Sequence, residues 1–278
     1  MRIFAFDTET ELIGPGNLAP RMVCLSYETT HGDNPDEWER NRSGAVLRRY
    51  DDALTPLYEA LVDPECIIVG QNVAYDVAVV MRQFPQLLKL WFDAYREDDR
   101  VADTMIREQL TLLAEGRFKG WPKKDGSWQR PRFDLDGLAR KHLGWELDKD
   151  TWRLRYAEFR NAPLEDWPEG AKHYALKDAE ATLGVFIQQE RYLESLGGSE
   201  LISNQFFQTH AALGLHLIAC RGIMTDPAKV LKFQQATEAE FEDLEAELID
   251  VGLVKPGGVR DTKAAKALME AVCEAEGI

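Results

Sequence analysis

The chain is poor in cysteine, with four in 278 residues (Cys24, Cys66, Cys220 and Cys273) and no CxxC pair among them. That spacing excludes a zinc ribbon or a disulfide framework and leaves buried, reduced thiols in a cytoplasm as the expectation. Long hydrophobic runs are missing as well. No window reaches the roughly 18 uncharged apolar residues of a membrane span, so no membrane partner is expected. The N-terminus, Met1-Arg2-Ile3-Phe4-Ala5-Phe6-Asp7, meets an acid after four apolar residues, too soon for the apolar stretch of a signal peptide. Positive charge is also scarce: 33 Lys+Arg stand against 48 Asp+Glu, a net charge of −15. Such a chain does not grip nucleic acid by bulk charge. A site where bound cations supply the positive charge is still possible.

What is present patterns as an α/β protein. Residues 2–9 read as a buried strand ending in acids, with Met22–Tyr27 as its neighbour. His31–Ser43 reads as a loop and Val46–Tyr50 as a short strand. In Asp52–Leu61 the apolar residues Leu54, Leu57, Tyr58 and Leu61 recur at helical spacing. Cys66–Gly70 is a buried strand, Tyr75–Phe84 a helix stopped by Pro85, Arg100–Asp103 a strand and Thr104–Glu115 a helix. Strands alternating with helices predict a sheet covered by helices. Beyond residue 133 the pattern is helical, at Leu135–Leu143, Thr151–Phe159 and Glu169–Leu196. Gly197-Gly198-Ser199 then marks a domain boundary between residues 1–197 and 198–278. Asp226-Pro227 starts a helix whose apolar stripe runs from Val230 to Val251, with seven acids and no base from Glu238 to Asp250. A stripe of that kind predicts a helical hairpin or coiled coil.

Three acidic motifs carry the chemistry. In Asp7-Thr8-Glu9 the two carboxylates share one face of a strand, because residues i and i+2 point the same way. Side by side at a buried strand end they repel each other and are costly to desolvate, a cost that a hard divalent cation removes. Gly70-Gln71-Asn72-Val73-Ala74-Tyr75-Asp76 follows a strand and places Asp76 at a helix start on the C-terminal edge of the sheet. Tyr174-Ala175-Leu176-Lys177-Asp178 sets a phenol and a carboxylate four residues apart, on one helix face. Singly, each motif has an ordinary reading as a solvated strand end, a helix cap or a core tyrosine.

Taken in order, D-x-E, N-x-x-x-D and Y-x-x-x-D resemble the DEDD superfamily of 3′–5′ exonucleases, in the branch with tyrosine in the third motif. Asp103-Thr104 and the Leu135–Gly144 stretch resemble further family features. The resemblance implies a ribonuclease H-like mixed sheet flanked by helices, and two-metal phosphodiester hydrolysis with Mg²⁺ or Mn²⁺. It maps the metal-binding and catalytic acids onto Asp7, Glu9, Asp76 and Asp178, with Asp7 bridging the two ions. Tyr174 then orients the attacking water, and Thr8 and Asp103 support the acids. His173 stands five residues before Asp178, so the histidine branch's signature is present too and His173 is the alternative base. Residues 208–226, ending Arg221-Gly222-Ile223-Met224-Thr225-Asp226, resemble the segment joining exonuclease and polymerase domains in family A DNA polymerases, most closely the bacteriophage type. That implies a thumb-like helical C-terminal segment and a proofreading enzyme of a bacterial or phage-infected cell. The rest of the polymerase would be a partner in cis or a separate chain. The alternatives are an RNA-trimming exonuclease of the same superfamily and a catalytically silent scaffold for a polymerase.

A −15 chain needs local help to approach a polyanion. Gly116–Arg132 holds Arg117, Lys119, Lys123, Lys124, Arg130 and Arg132 against the single acid Asp125, with Phe118, Trp121 and Trp128 interleaved. Cations for phosphates and flat rings for bases are what binding a single-stranded DNA 3′ end requires. Asn72, in the second acidic motif, is a further expected contact.

Overall fold

The computed structural model describes residues 1–124, 126–147 and 152–277. The central strand of its main sheet is β1 (Arg2–Thr10), followed by β2 (Met22–His31), α1 (Pro35–Arg40) and β3 (Val46–Arg49). Next come α2 (Leu54–Val62), β4 (Cys66–Gly70), α3 (Val73–Gln83), α4 (Leu88–Arg96), β5 (Val101–Asp103) and α5 (Thr104–Ala114). The sheet order is β3-β2-β1-β4-β5. Its first three strands are antiparallel, and β4 and β5 run parallel to β1. A small hairpin, β6 (Trp121–Pro122) with β7 (Trp128–Gln129), precedes α6 (Leu135–Leu143), the long α7 (Glu169–Ser195) and α8 (Gln205–Arg221).

The two faces of β1 are both buried, which is why its sequence is nearly all apolar before the acids. Phe4 and Phe6 pack with Val77, Val80 and Trp91 from α3 and α4. Ile3 and Ala5, on the opposite face, meet Leu183, Phe186 and Ile187 of α7. Helices thus cover both sides of the sheet and leave its C-terminal edge open between α3 and α7.

Several expectations change. His31–Ser43 is not all loop: Asn34 accepts a hydrogen bond from the Glu37 amide (3.0 Å) and Pro35 opens α1, an N-cap followed by proline. Helix α4 has no counterpart among the expected elements; Trp91, Ala94 and Tyr95 are its buried face. The helix expected over Thr151–Phe159 is a set of turns with a 3₁₀ turn at Tyr156–Phe159, and Thr151 lies outside the described residues.

The chain divides into two compact units, Met1–Gly222 and Ile223–Ile278. Gly197 and Gly198, the expected boundary, lie inside the first unit. Both have positive φ (107° and 112°) in the turn after α7, and α8 beyond them buries Leu213 against α3 and α4. The second unit comprises α9 (Pro227–Asp250), a hairpin of β8 (Val254–Lys255) and β9 (Val259–Arg260), and α10 (Thr262–Glu276). Its apolar stripe is not packed as a coiled coil would be: no residue of α9 or α10 is buried. Cys24 and Cys66 are buried, whereas Cys220 and Cys273 are only half-buried; all four are free thiols. Among the described residues no helix is long and apolar enough to cross a membrane.

Candidate active site

Strand β1 delivers two carboxylates to one side and two hydroxyls to the other. Asp7 and Glu9 continue the face of Ile3 and Ala5, toward α7. Thr8 and Thr10 continue the face of Phe4 and Phe6, toward α3. The Asp76 carboxylate accepts from both the Thr8 amide (3.0 Å) and the Thr8 hydroxyl (2.5 Å), and the Thr10 hydroxyl lies 2.7 Å from the Tyr75 hydroxyl. Consecutive residues of α3 are therefore pinned to alternate residues of β1. After Glu9 the register slips, so that Thr10 pairs with Met22, a bulge at the strand's functional end.

The turn from β4 into α3 is fixed by its own chemistry. A Cβ at Gly70 would stand 2.5 Å from Val73 Cγ2, so only glycine fits there. Asn72 adopts a left-handed conformation (φ 54°) and lines the pocket. The buried Asp103 carboxylate accepts from the amides of Asn72 (3.1 Å) and Val73 (2.9 Å) and caps α5 through Met105 (2.8 Å). One acid thus satisfies the first amides of two helices and sets where Asp76, in the first turn of α3, can point.

Helix α7 brings the remaining groups. Ala171 and Ala175, fully buried against Val23 and Cys24, are small enough for the helix to lie close on the sheet. Tyr174 and Asp178 line the resulting pocket of about 640 Å³ together with Asp7, Glu9 and Asp76. Oxygens of Asp7, Glu9 and Asp178 lie within 4.8 Å of one another. Asp76 adjoins this trio, with one carboxylate oxygen committed to Thr8.

The electrostatics are those of acids forced together. Burial, then the neighbouring Asp76, pushes the Asp7 carboxyl well above its ordinary range. Burial, then Asp7, Asp178 and Asp76, does the same to Glu9, with Arg153 opposing. Asp76 is raised to about 7 by burial, against the lowering effect of the Thr8 hydrogen bonds. Asp103 is raised to about 6, also by burial, although four amide bonds pull the other way. The Tyr174 phenol moves up as well, through burial and then Asp178, Glu9 and Asp7. Hard oxygen donors converging on one point, at this cost when ionised, fit divalent cations such as Mg²⁺ or Mn²⁺.

Tyr174 thus stands in the pocket. His173, one residue earlier, is exposed and is not among the pocket-lining residues. The basic stretch forms the β6–β7 hairpin, closed by Lys123 N–H to the Ser127 carbonyl (2.7 Å) and Trp128 Nε1 to the Lys119 carbonyl (2.8 Å). Trp128 is 56% exposed, whereas Trp121 is half-covered by the Arg117 guanidinium, 4.8 Å from the ring centroid. Arg117 pairs with Glu115 and Arg132 with Asp134 and Asp136. Among the described residues no carboxylate pairs with Lys119, Lys123, Lys124 or Arg130; Asp125 lies outside them. The hairpin's root reaches the acids, because Phe118 stacks on Phe133, whose carbonyl accepts from Gln71 Nε2 (2.6 Å), and Gln71 lines the pocket.

Sequence reasoning missed Gln71 and Arg153 as lining residues. Gln71 lies inside the second acidic motif; Arg153, exposed at the mouth beside Tyr174 and Asp178, carries no sequence signal of its own.

A family model described as 3′-5′ exonuclease matches residues 1–193. NrnC from Brucella melitensis superposes with a TM-score of 0.53 at 17% identity, covering 80% of this chain and 88% of NrnC. A structure described as the apo form of the nuclease superposes at 0.51, with 16% identity and coverage of 80% and 87%. Escherichia coli RNase D gives 0.45 at 17% identity, over 80% of this chain and 46% of that one. The first two of these structures support the fold, a mixed five-stranded sheet between helices, as in ribonuclease H-like exonucleases.

Proposed function

Because the chain belongs to the 3′–5′ exonuclease family of the DEDD superfamily, we propose that it removes nucleotides one at a time from the 3′ end of single-stranded or frayed DNA. In this reading it serves as the proofreading part of a DNA polymerase. The observation that carries the hydrolytic reading is the gathering of Asp7, Glu9 and Asp178 within 4.8 Å, with Asp76 beside them, in one open pocket. Asp7, Glu9 and Asp178 would hold one ion, and Asp76, half-committed to Thr8, would hold the second through water. Divalent ions there would supply the positive charge that a phosphodiester needs while water attacks it. The water oxygen bonds to phosphorus as the bond to the 3′ oxygen breaks. The leaving 3′ oxygen takes up a proton to become a hydroxyl, the water's remaining proton passes to solvent, and a nucleoside 5′-monophosphate is released.

Tyr174 orients that water by hydrogen bonding. A phenol with a reference pKa near 10 is a poor base at neutral pH, and the raised pKa here makes deprotonation harder still. The polymerase association rests on the resemblance of residues 208–226 to the joining segment, and the partner would be the remaining polymerase, in cis or as a second chain. The decisive experiment offers 3′- and 5′-labelled oligonucleotides, as DNA and as RNA, with Mg²⁺, Mn²⁺ or EDTA. Release of mononucleotides from the 3′ end of DNA, abolished by EDTA and by Asp7→Ala with Glu9→Ala, is expected. Faster trimming of RNA would replace the proofreading reading with an RNA-processing one.

A further inference from the structure

At the same end of the sheet as the acids is a second polar pocket, about 280 Å³, lined by Arg21, Arg82 and Arg160 with Met22, Val79 and Gln83. Among the described residues no carboxylate lines it. In a chain of net charge −15, three guanidinium groups converge on one small cavity, and the Glu11 carboxylate, 3.8 Å from Arg160, offsets one of them.

Two of the three are held in place. Arg82 donates to the Asn17 side chain (2.6 Å) and to the Ala19 carbonyl. Arg160 lies over the Tyr50 ring, 4.1 Å from its centroid. Among the described residues its buried Nε has no hydrogen-bond partner, and the Glu11 carboxylate stands 3.8 Å away. Arg21 is exposed and free to close on a ligand. Planar guanidiniums fixed in this manner match the oxygens of a phosphate group.

The pocket is tied to the acid site. Glu11 lines the acid pocket, its amide donates to the Arg21 carbonyl (3.0 Å), and its carboxylate faces Arg160. Val79 and Gln83 follow Asp76 by three and seven residues on α3, so one helix face runs from one pocket to the other over about 10 Å.

We propose that Arg21, Arg82 and Arg160 form a subsite for a backbone phosphate of the strand whose 3′ end lies among the acids. The inference rests on the nuclease reading but is tested apart from it. Binding of a fluorescein-labelled oligo-dT is measured by anisotropy in EDTA, where nothing is cut, over a range of KCl concentrations. Arg21→Gln, and Arg21→Gln with Arg160→Gln, should each weaken binding. The plot of log affinity against log salt should become shallower by about 0.7 for each phosphate contact removed. Slopes equal to wild type, with variants of unchanged melting temperature, would overturn the proposal; should the double variant melt lower, Arg21→Gln alone decides. In a parallel arm, inorganic phosphate and thymidine 5′-monophosphate are tested for thermal stabilisation that Arg21→Gln removes. Such stabilisation with unaltered oligonucleotide binding would assign the pocket to a free phosphate and overturn the strand path. Wild-type hydrolysis of the same oligonucleotide with Mn²⁺ is the separate check on the acid site.

Discussion

Thr8 and Asp76, 68 positions apart, are joined by two hydrogen bonds to a single carboxylate oxygen, from the Thr8 amide at 3.0 Å and its hydroxyl at 2.5 Å. The same strand thus supplies two of the acids and the donors that aim a third. Thr8→Val removes the hydroxyl but keeps the shape and the amide. Activity should fall by about 10- to 100-fold, the usual cost of losing a group that orients a metal-binding carboxylate. Thr8→Ser, which keeps the hydroxyl, should restore most of it. Equal activity in Thr8→Val and wild type would mean that the hydroxyl does not position Asp76.

The raised carboxyl groups make stability depend on pH in a defined direction. Asp76 titrates near 7 in the folded chain against an ordinary aspartate value of 3.8, and Asp103 near 6. A raised acid binds its proton more tightly when folded, so its stabilising effect is complete below about pH 4 and is lost as pH rises through 6 to 7. Metal-free protein should therefore melt about 2–8 °C lower at pH 8 than at pH 5, the size of shift that 1–2 kcal/mol produces in a domain of this size. Mn²⁺ should restore more stability at pH 8 than at pH 5, since only ionised carboxylates bind it. Asp76→Asn keeps an oxygen to accept from Thr8 and should flatten the pH profile. A metal-free melting temperature that rises from pH 5 to pH 8 contradicts this account.

Tyr174 and His173 separate cleanly by position. Tyr174→Phe retains the ring, which lies 6.1 Å from that of Tyr156, and removes only the hydroxyl in the pocket. A fall in kcat of about 10- to 100-fold is expected, in the range of a positioned water contact. His173→Ala, on the exposed side of the helix, should stay within about twofold of wild type. Steady-state rates with saturating oligonucleotide decide the matter, and the reverse ranking would hand the role to the histidine.

For the hairpin, the exposed ring is Trp128 rather than Trp121, which the Arg117 guanidinium covers. Trp128→Ala should weaken single-strand binding by about 1–3 kcal/mol, the worth of one stacked base. Lys123→Ala with Lys124→Ala should instead raise KM and make it less sensitive to salt. Both effects belong in KM. A change confined to kcat would place the hairpin in support of the acid site and not on the strand.

Much of this molecule is written locally. The D-x-E strand, the G-Q-N-V-A-Y-D turn and the Y-x-x-x-D helix are legible because strand and helix periods fix which residues share a face. Gly70 and Asn72 likewise belong to a turn that only certain residues permit. The short helix α1 has its signal in Asn34-Pro35, whereas α4, with its mixed charged and aromatic sequence, is held chiefly by burial of Trp91 and Tyr95. The place where the first unit ends is not legible, because two glycines break a helix whether or not the next helix folds back. Here α8 does fold back, burying Leu213.

By itself, then, the sequence determined the carboxylates and the elements that present them, since backbone geometry and side-chain spacing act over a few residues. Tertiary structure alone decided that Thr8 holds Asp76, that Asp103 caps two helices at once, and that Arg21, Arg82 and Arg160 share a pocket. Each of those joins residues tens of positions apart. Their proximity follows from which faces of the sheet the helices cover, and no local pattern encodes that.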